Sequence, residues 1–248
     1  VTDREVDLDR RFGGIIRLYG EKKFRLIQGC QICVVGIGGV GSWVAESLAR
    51  HGVSKMTLID MDHIVESNIN RQIHALDSTD GESKIKAMKD RIIDINPTCQ
   101  VNCVDNFLEE SNIESHISSK FDFIVDAIDQ SNVKISLAEY CQSKNLSLVM
   151  VGGAGGRVDP SRIKIADLSK TFGDPLLGNI RKYFNKKNKL PKNKYEIPTI
   201  FSDEPVIKTD ACETEQAAGG LSCDGYGSSM NITATMAFYV VAHIISKI

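Results

Sequence analysis

At 248 residues, 42% hydrophobic and 25% charged, the chain has the composition of an ordinary globular protein with room for one large α/β domain. A formal net charge of −2 excludes a global field that would draw it to nucleic acid or membrane, so any basic partner surface has to be local. Seven cysteines (Cys30, Cys33, Cys99, Cys103, Cys141, Cys212 and Cys223) without a signal peptide predict a reducing, cytoplasmic setting. Cys30-x-x-Cys33 has no second such pair, which argues against a zinc site built from paired motifs, and both thiols read as core or near-core.

Residues 1–30 form an N-terminal arm in which Phe12, Ile15, Ile16 and Tyr19 make an apolar stripe interrupted by Gly13-Gly14. Gln31 to Val35 is a β-branched run, and Gly36, Gly38 and Gly41, with Gly39 between them, complete G-x-G-x-x-G directly after it. Val44, Ala45, Leu48 and Ala49 follow at helical spacing, and the apolar run Met56 to Ile59 ends on Asp60. This strand–turn–helix–strand unit has the length of a Rossmann half. Its glycines admit backbone amides close to a phosphate at a helix N-terminus, and an acid closing the second strand faces ribose hydroxyls.

The next stretch, rich in Asp62, Asn68, Asn70, Arg71, Gln72 and His74, is too polar for a strand and too irregular for a helix. Helical spacing of Ile85, Met88, Ile92 and Ile95 predicts a helix over 82–95, with Pro97 just past its end. Strands follow at 101–104, at 121–128 ending on Asp129, and at 146–151 running into glycines, with a helix marked by Val133, Leu137 and Cys141 between the last two. Strands alternating with helices predict a doubly wound, mainly parallel sheet, and ligands of such sheets gather at the strands' carboxyl ends. Gly36, Asp60 and Asp129 all lie at such ends and converge on one crevice.

Beyond residue 157 the character changes. A turn and strand lead to a helix carrying Leu176, Leu177, Ile180 and Phe184, a strand is expected at 200–206, and a helix closes the chain. The last helix, from Met230, carries too many polar residues for a membrane span and reads as buried or at a dimer interface. Residues 181–194 hold Arg181, Lys182, Lys186, Lys187, Lys189, Lys192 and Lys194 with no acid among them. They read equally as a solvated loop or as a contact to a nucleic-acid backbone. The expected organisation is a single domain: the arm 1–30, a Rossmann-like core 31–156, and a substrate and dimer half 157–248 extending the fold with further strands and a helix.

Arg71 and Lys84, with Asn68 and Gln72, place positive charge just beyond the ribose acid, where a triphosphate would need it. Asp129 has the chemistry to hold a magnesium ion bridging phosphates, or it caps the following helix. Taken together in one crevice, these residues favour ATP over NAD.

The segments RFGGIIRLYGEK, VVGIGGVGSW, LIDMDHIVESNINRQIHAL, DAIDQSNVK and VGGAGG resemble the ThiF/MoeB/ubiquitin-activating superfamily, and within it the branch of dehydratases acting on threonylcarbamoyladenosine in tRNA. The resemblance implies ATP-dependent adenylation of a carboxylate. It implies phosphates cradled by Gly36 to Gly41, ribose on Asp60, phosphate contacts from Asn68, Arg71 and Lys84, and Mg2+ on Asp129. It also implies an N-terminal arginine, Arg17 or Arg11, reaching the nucleotide from a neighbouring subunit of a homodimer. Asp62 and Gln72 belong to the same expected nucleotide site, and tRNA is the expected partner. The family's sulfur-relay link leaves a cysteine-desulfurase or sulfur-acceptor partner open. The paired C-x-x-C of many relatives is missing, as is an appended ubiquitin-fold domain, which tells against ubiquitin-type activation. Activation of a sulfur-carrier protein's C-terminus is the alternative reading, with Cys223 the thiol it would recruit; a bystander thiol is the favoured reading of that residue.

Overall fold

In the computed structural model, residues 6–187, 194–207 and 226–248 are described. The N-terminal arm is two helices, α1 (Leu8–Tyr19) and α2 (Glu21–Gly29). Gly13-Gly14 does not interrupt α1, contrary to expectation. The break comes at Gly20, whose φ of +81° ends one helix and starts the next. Phe12 and Phe24 close over Gly52 and seat the pair on the core.

The core runs β1 (Gln31–Val35), α3 (Gly41–Arg50), β2 (Lys55–Ile59), α4 (Lys84–Ile95), β3 (Gln100–Val104), the short α5 (Ile113–His116), β4 (Phe123–Asp126), α6 (Ser131–Ser143) and β5 (Leu148–Val151). It continues through β6 (Ile163–Asp167), α7 (Pro175–Lys187), β7 (Pro198–Ser202) and a final helix, α8 (Met230–Lys247). The sheet has strand order β3-β2-β1-β4-β5-β7-β6, parallel throughout except for the antiparallel edge strand β6. This is the expected Rossmann-like α/β architecture with a C-terminal extension. The order reverses between β1 and β4, so a crevice opens where those two strands end.

Two apolar layers enclose the sheet. On one face, α3, α4 and α8 bury Val44, Leu48, Met88, Ile92, Met236 and Val240, α3 lying on β1, α4 on β3 and α8 on β5 to β7. On the other, Leu137, Cys141, Leu177, Ile180 and Phe184 of α6 and α7 pack against β4 and β5. Each such fully buried side chain contributes about 1.5–3 kcal/mol relative to exposure. Cys30 and Cys33 belong to these layers, as expected: burial pushes the Cys30 thiol up to about 11 and that of Cys33 higher. No helix among the described residues is long and apolar enough to cross a membrane.

Among the expected boundaries that shift, three have an identifiable tertiary cause. β4 ends at Asp126, three residues before Asp129, because its ladder with β1 closes at Val35↔Asp126 and the chain then turns around the Gly36 loop. β7 ends at Ser202 and does not run on to residue 206, because Asp203 turns aside to Arg162 and Lys164 while Glu204 accepts the amides of Val158 and Asp159. Residues 181–187, expected in a basic loop, are helical: Leu177, Ile180 and Phe184 hold α7 to the core through Lys187.

His74 lies buried at the end of the polar stretch after β2, and neither of its ring nitrogens has a hydrogen-bond partner among the described residues. Burial, then the charges of Lys84 and Arg91, lower its pKa from 6.5 to about 4. Between those values the unfolded chain binds a proton that the folded chain refuses, so stability is full above pH 6.5 and falls as pH drops toward 4. The loss should be roughly 3 kcal/mol. Denaturant titrations at pH 7 and pH 4 should show this drop, and His74→Leu should shrink it; an unchanged drop in the variant would place its source elsewhere.

Candidate nucleotide-binding site

The first turn after β1 is shaped by glycines that differ in what they do. Gly36 has φ +85°, and a Cβ there would sit 2.9 Å from the Ala127 carbonyl oxygen. A Cβ on Gly41 would run into the Gly36 carbonyl oxygen, and one on Gly39 would press on Thr233 at 3.0 Å. Among the described residues nothing lies within 4 Å of such an atom on Gly38, which faces the crevice. Gly36 and Gly41 therefore set the fold of the turn, while Gly38 leaves room for a ligand. Val40, the N-cap residue of α3, makes no side-chain capping bond, the Ser42 amide bonds Gly38 O at 3.1 Å, and the N-terminus of the helix lies at the opening.

The crevice has a volume of about 690 Å³. Gly36, Gly38, Gly39, Asp60, Asp62, Asn68, Arg71, Gln72, Lys84 and Asp129 all line it, so three separate segments meet where the sequence placed them. Gly41 lies directly behind this lining. On the far side the wall is Val151 to Ala154 with Leu176, small and apolar. Behind it, buried Asp174 accepts the Gly153 amide at 2.8 Å, and buried Arg157 donates to the Gly153 carbonyl at 3.2 Å.

Asp60 is buried, and its two oxygens accept the amides of Ile37 (2.6 Å) and Asp62 (2.9 Å). Burial raises its pKa, and those two amides and Lys84 oppose the shift. Each carboxylate oxygen keeps a second lone pair for a ribose hydroxyl. Lys84, at the start of α4, is buried with its Nζ 2.7 Å from Asp62 Oδ2. Asn68 is buried and accepts the Val65 amide at 3.4 Å. Arg71 is fixed by its backbone: its carbonyl accepts Trp43 Nε1 at 3.0 Å and Thr233 Oγ1 at 3.4 Å. Its guanidinium donates to Ser67 O and Asn70 Oδ1. Gln72 is buried, and its Oε1 has no partner among the described residues. Asp129 is exposed on the loop after β4 rather than at the strand's end.

Of the two candidate arginines, neither lines the crevice of its own chain. Arg11 instead donates to the carbonyls of Asp94 and Ile95 at the end of α4 (3.0 and 2.7 Å), while Arg17 is exposed on α1. The basic segment also divides. Arg181 bonds Thr171 Oγ1 at 2.6 Å, Lys187 engages Tyr183 and Glu139, and Lys194 pairs with Glu196 at 2.9 Å. Lys182 and Lys186 face solvent on α7. Lys189, Lys192, Cys212 and Cys223 lie outside the described residues.

A family model described as the ThiF family matches residues 12–247, nearly the whole chain. The chain belongs to the ThiF family. Among ThiF relatives, the tRNA threonylcarbamoyladenosine dehydratase of Haemophilus influenzae is 42% identical over the whole of this chain and 97% of its own length. The Escherichia coli protein of that name is 41% identical, over 96% of this chain and 93% of its own. Crystal structures of that Escherichia coli protein, TcdA, superpose with a TM-score of 0.87: in complex with ATP, at 41% identity over 96% of this chain and 93% of that one, and in complex with AMP, at 40% over 98% and 97%.

One feature of this ThiF site escaped the sequence reading. Asp126 and Lys134 form an ion pair of 2.9 Å with both side chains fully buried, and Lys134 Nζ also donates to the Asp126 carbonyl at 3.2 Å. Asp126 Oδ1 accepts the Ile128 amide at 3.2 Å, at the start of the Asp129 loop. A signal was present: Lys134 stands in the buried stripe Lys134, Leu137, Ala138 and Cys141 of α6, where a lysine is out of place.

The glycine roles are separable by experiment. Gly38→Ala should fold with a parental melting temperature yet bind ATP at least about tenfold more weakly. Gly41→Ala should lower the melting temperature or fail to fold. Parental ATP affinity in Gly38→Ala, measured by calorimetry, would remove this turn from the phosphate site.

Proposed function

We propose that the chain is an ATP-dependent dehydratase that adenylates the threonyl carboxylate of N6-threonylcarbamoyladenosine in tRNA and closes it to the cyclic form. The observation that carries this is the crevice itself. A phosphate-admitting turn, a ribose acid, the cations Arg71 and Lys84 and the carboxylate of Asp129 meet in one opening, with a small apolar wall opposite. A triphosphate, with more negative charge than the pyrophosphate of a nicotinamide dinucleotide, makes fuller use of the two cations. The full-length likeness to dehydratases of this name supports the substrate.

The threonyl carboxylate is a poor electrophile because its leaving group would be oxide. Attack of a carboxylate oxygen on the α-phosphorus of ATP forms an acyl adenylate and releases pyrophosphate. The carbamoyl group of the same nucleoside then attacks the acyl carbon, AMP leaves, and a proton passes to solvent. The nucleoside loses one water in total. Because the nucleophile is tethered, its effective concentration is very high, and no protein thiol is needed.

In this scheme Gly38, Gly39 and the α3 N-terminus take phosphate oxygens, Asp60 takes the ribose, and Asn68 and Gln72 complete the polar floor. Arg71 and Lys84 stabilise charge on the α-phosphate and departing pyrophosphate, Lys84 being held ready by Asp62. No group of three His, Cys, Asp or Glu side chains gathers among the described residues, so a protein-only metal cage is not available there. One exposed carboxylate beside phosphates is nonetheless what magnesium typically uses, and Asp129 would hold it. Bound there, the ion would neutralise phosphate charge.

The exposed apolar residues Leu18, Leu26, Phe238 and Tyr239 support a homodimer, and exposed Arg17 is the arginine that a partner copy would lend. On α7, Lys182 and Lys186 are the cations left to meet the tRNA backbone. A sulfur-acceptor role gains no support from the buried thiols of Cys30, Cys33, Cys99 and Cys141, or from half-buried Cys103, whose pKa burial raises.

Incubation with ATP, Mg2+ and threonylcarbamoylated tRNA, followed by digestion and mass spectrometry, should reveal loss of one water from the modified nucleoside. Asp129→Ala should abolish it. Pyrophosphate release only with a sulfur-carrier protein would move the reading to carrier activation. Separately, Lys182→Glu with Lys186→Glu should weaken tRNA binding at least about tenfold while leaving ATP binding unchanged. Undiminished tRNA affinity would take α7 out of the interface.

A further inference from the structure

The Asp126–Lys134 pair is expensive. Both side chains are wholly out of water, burial raises the pKa of Asp126 against the opposing effect of Lys134, and Asp126 Oδ2 has no hydrogen-bond partner among the described residues. Apolar residues of similar volume commonly replace such a pair with no loss of stability, so stability alone does not account for it.

Its connections suggest what does. Lys134 Nζ holds both the side chain and the carbonyl of Asp126, the last residue of β4, while the Lys134 amide bonds Gln130 O in the first turn of α6. One residue thus brackets the loop 127–130, its side chain holding the Asp126 end and its backbone amide the Gln130 end. Asp126 Oδ1 fixes the Ile128 amide within it, and the Ala127 amide bonds Val35 O on β1. The same loop presses on the glycine turn: the Ala127 carbonyl and Ile128 amide crowd the space beside Gly36, and Ala127 Cβ lies 3.4 Å from the space beside Gly41. Ile128, Asp129 and Gln130 all line the crevice.

We infer that Asp126 and Lys134 are positioning residues for the adenylation step: the pair sets the 127–130 loop so that the Asp129 carboxylate and the glycine turn face the same phosphates in fixed register. This rests on the proposed role of Asp129. Neither residue touches substrate. The pair acts by denying the loop other positions, and a displacement of about 1 Å at such a site can lower turnover by about a hundredfold.

The informative protein is the double variant Asp126→Asn/Lys134→Met, which removes both charges at nearly constant volume. It should melt near the parental temperature and bind ATP with little change, yet turn over at least about tenfold more slowly and need more Mg2+ for half-maximal rate. Parental kcat and parental Mg2+ dependence in a folded double variant would overturn the inference. Should that variant not fold, Lys134→Arg keeps the charge but lengthens the clamp. Reduced kcat at unchanged ATP affinity then supports positioning, and parental kcat overturns it. Asp129→Ala run alongside separates the two claims: if it retains full activity the proposed site fails, whereas an inactive Asp129→Ala beside a fully active double variant defeats only the clamp.

Discussion

The close packing of backbone on backbone at the end of β1 is the constraint from which the site follows. Gly41 opens α3 directly against the Gly36 carbonyl, and Gly36 turns with φ +85° against the Ala127 carbonyl. Only glycines allow the helix to start that near the strand, and that nearness brings the helix N-terminus to the crevice. Asp60 then ties the turn to β2 by accepting the Ile37 amide, so the end of β2 and the glycine turn are held together by one side chain. The reversal of strand order between β1 and β4 supplies the open space above.

Charge is distributed unevenly around that space. The β2 side carries Arg71 and Lys84 with the acids Asp60 and Asp62, whereas the β5 side is a wall of glycines, Ala154 and Leu176. Such an asymmetry matches a reaction between a highly charged nucleotide and a small acyl group. Behind the wall, buried Asp174 and Arg157 bond the Gly153 backbone, as buried Asp126 and Lys134 bond the backbone beside the Asp129 loop. In both cases the hidden charge bonds backbone groups next to a loop that lacks regular secondary structure.

Periodicity and glycine spacing carried the fold to within a few residues. β1, α3, β2 and α4 are legible because each is an uninterrupted apolar run or helical stripe bounded by Gly, Asp or Pro. The misplaced ends have tertiary causes. β4 stops at Asp126 because its neighbour β1 stops at Val35, and β7 stops at Ser202 because Asp203 finds Arg162 and Lys164 across a turn. Neither is visible in local pattern. Site residues at strand ends were legible as types, since Asp60, Arg71, Lys84 and Asp129 are chemically out of keeping with mere connections. Their second partners were not legible. That Asp62 holds Lys84, or that Arg11 is spent on the carbonyls ending α4, depends on distances the chain reveals only when folded. Lys134 was overlooked because a single lysine in an apolar stripe reads as a helix's polar edge.

The central claim is that a carboxylate attacks the α-phosphorus of ATP. Its most direct test is to label the threonyl carboxylate oxygens of the modified tRNA with 18O and follow the isotope after one turnover. The account predicts one 18O in the AMP released. Label in inorganic phosphate, with ADP as product, would mean attack at the γ-phosphorus, and label in neither would mean that the carboxylate is not activated by phosphoryl chemistry at all.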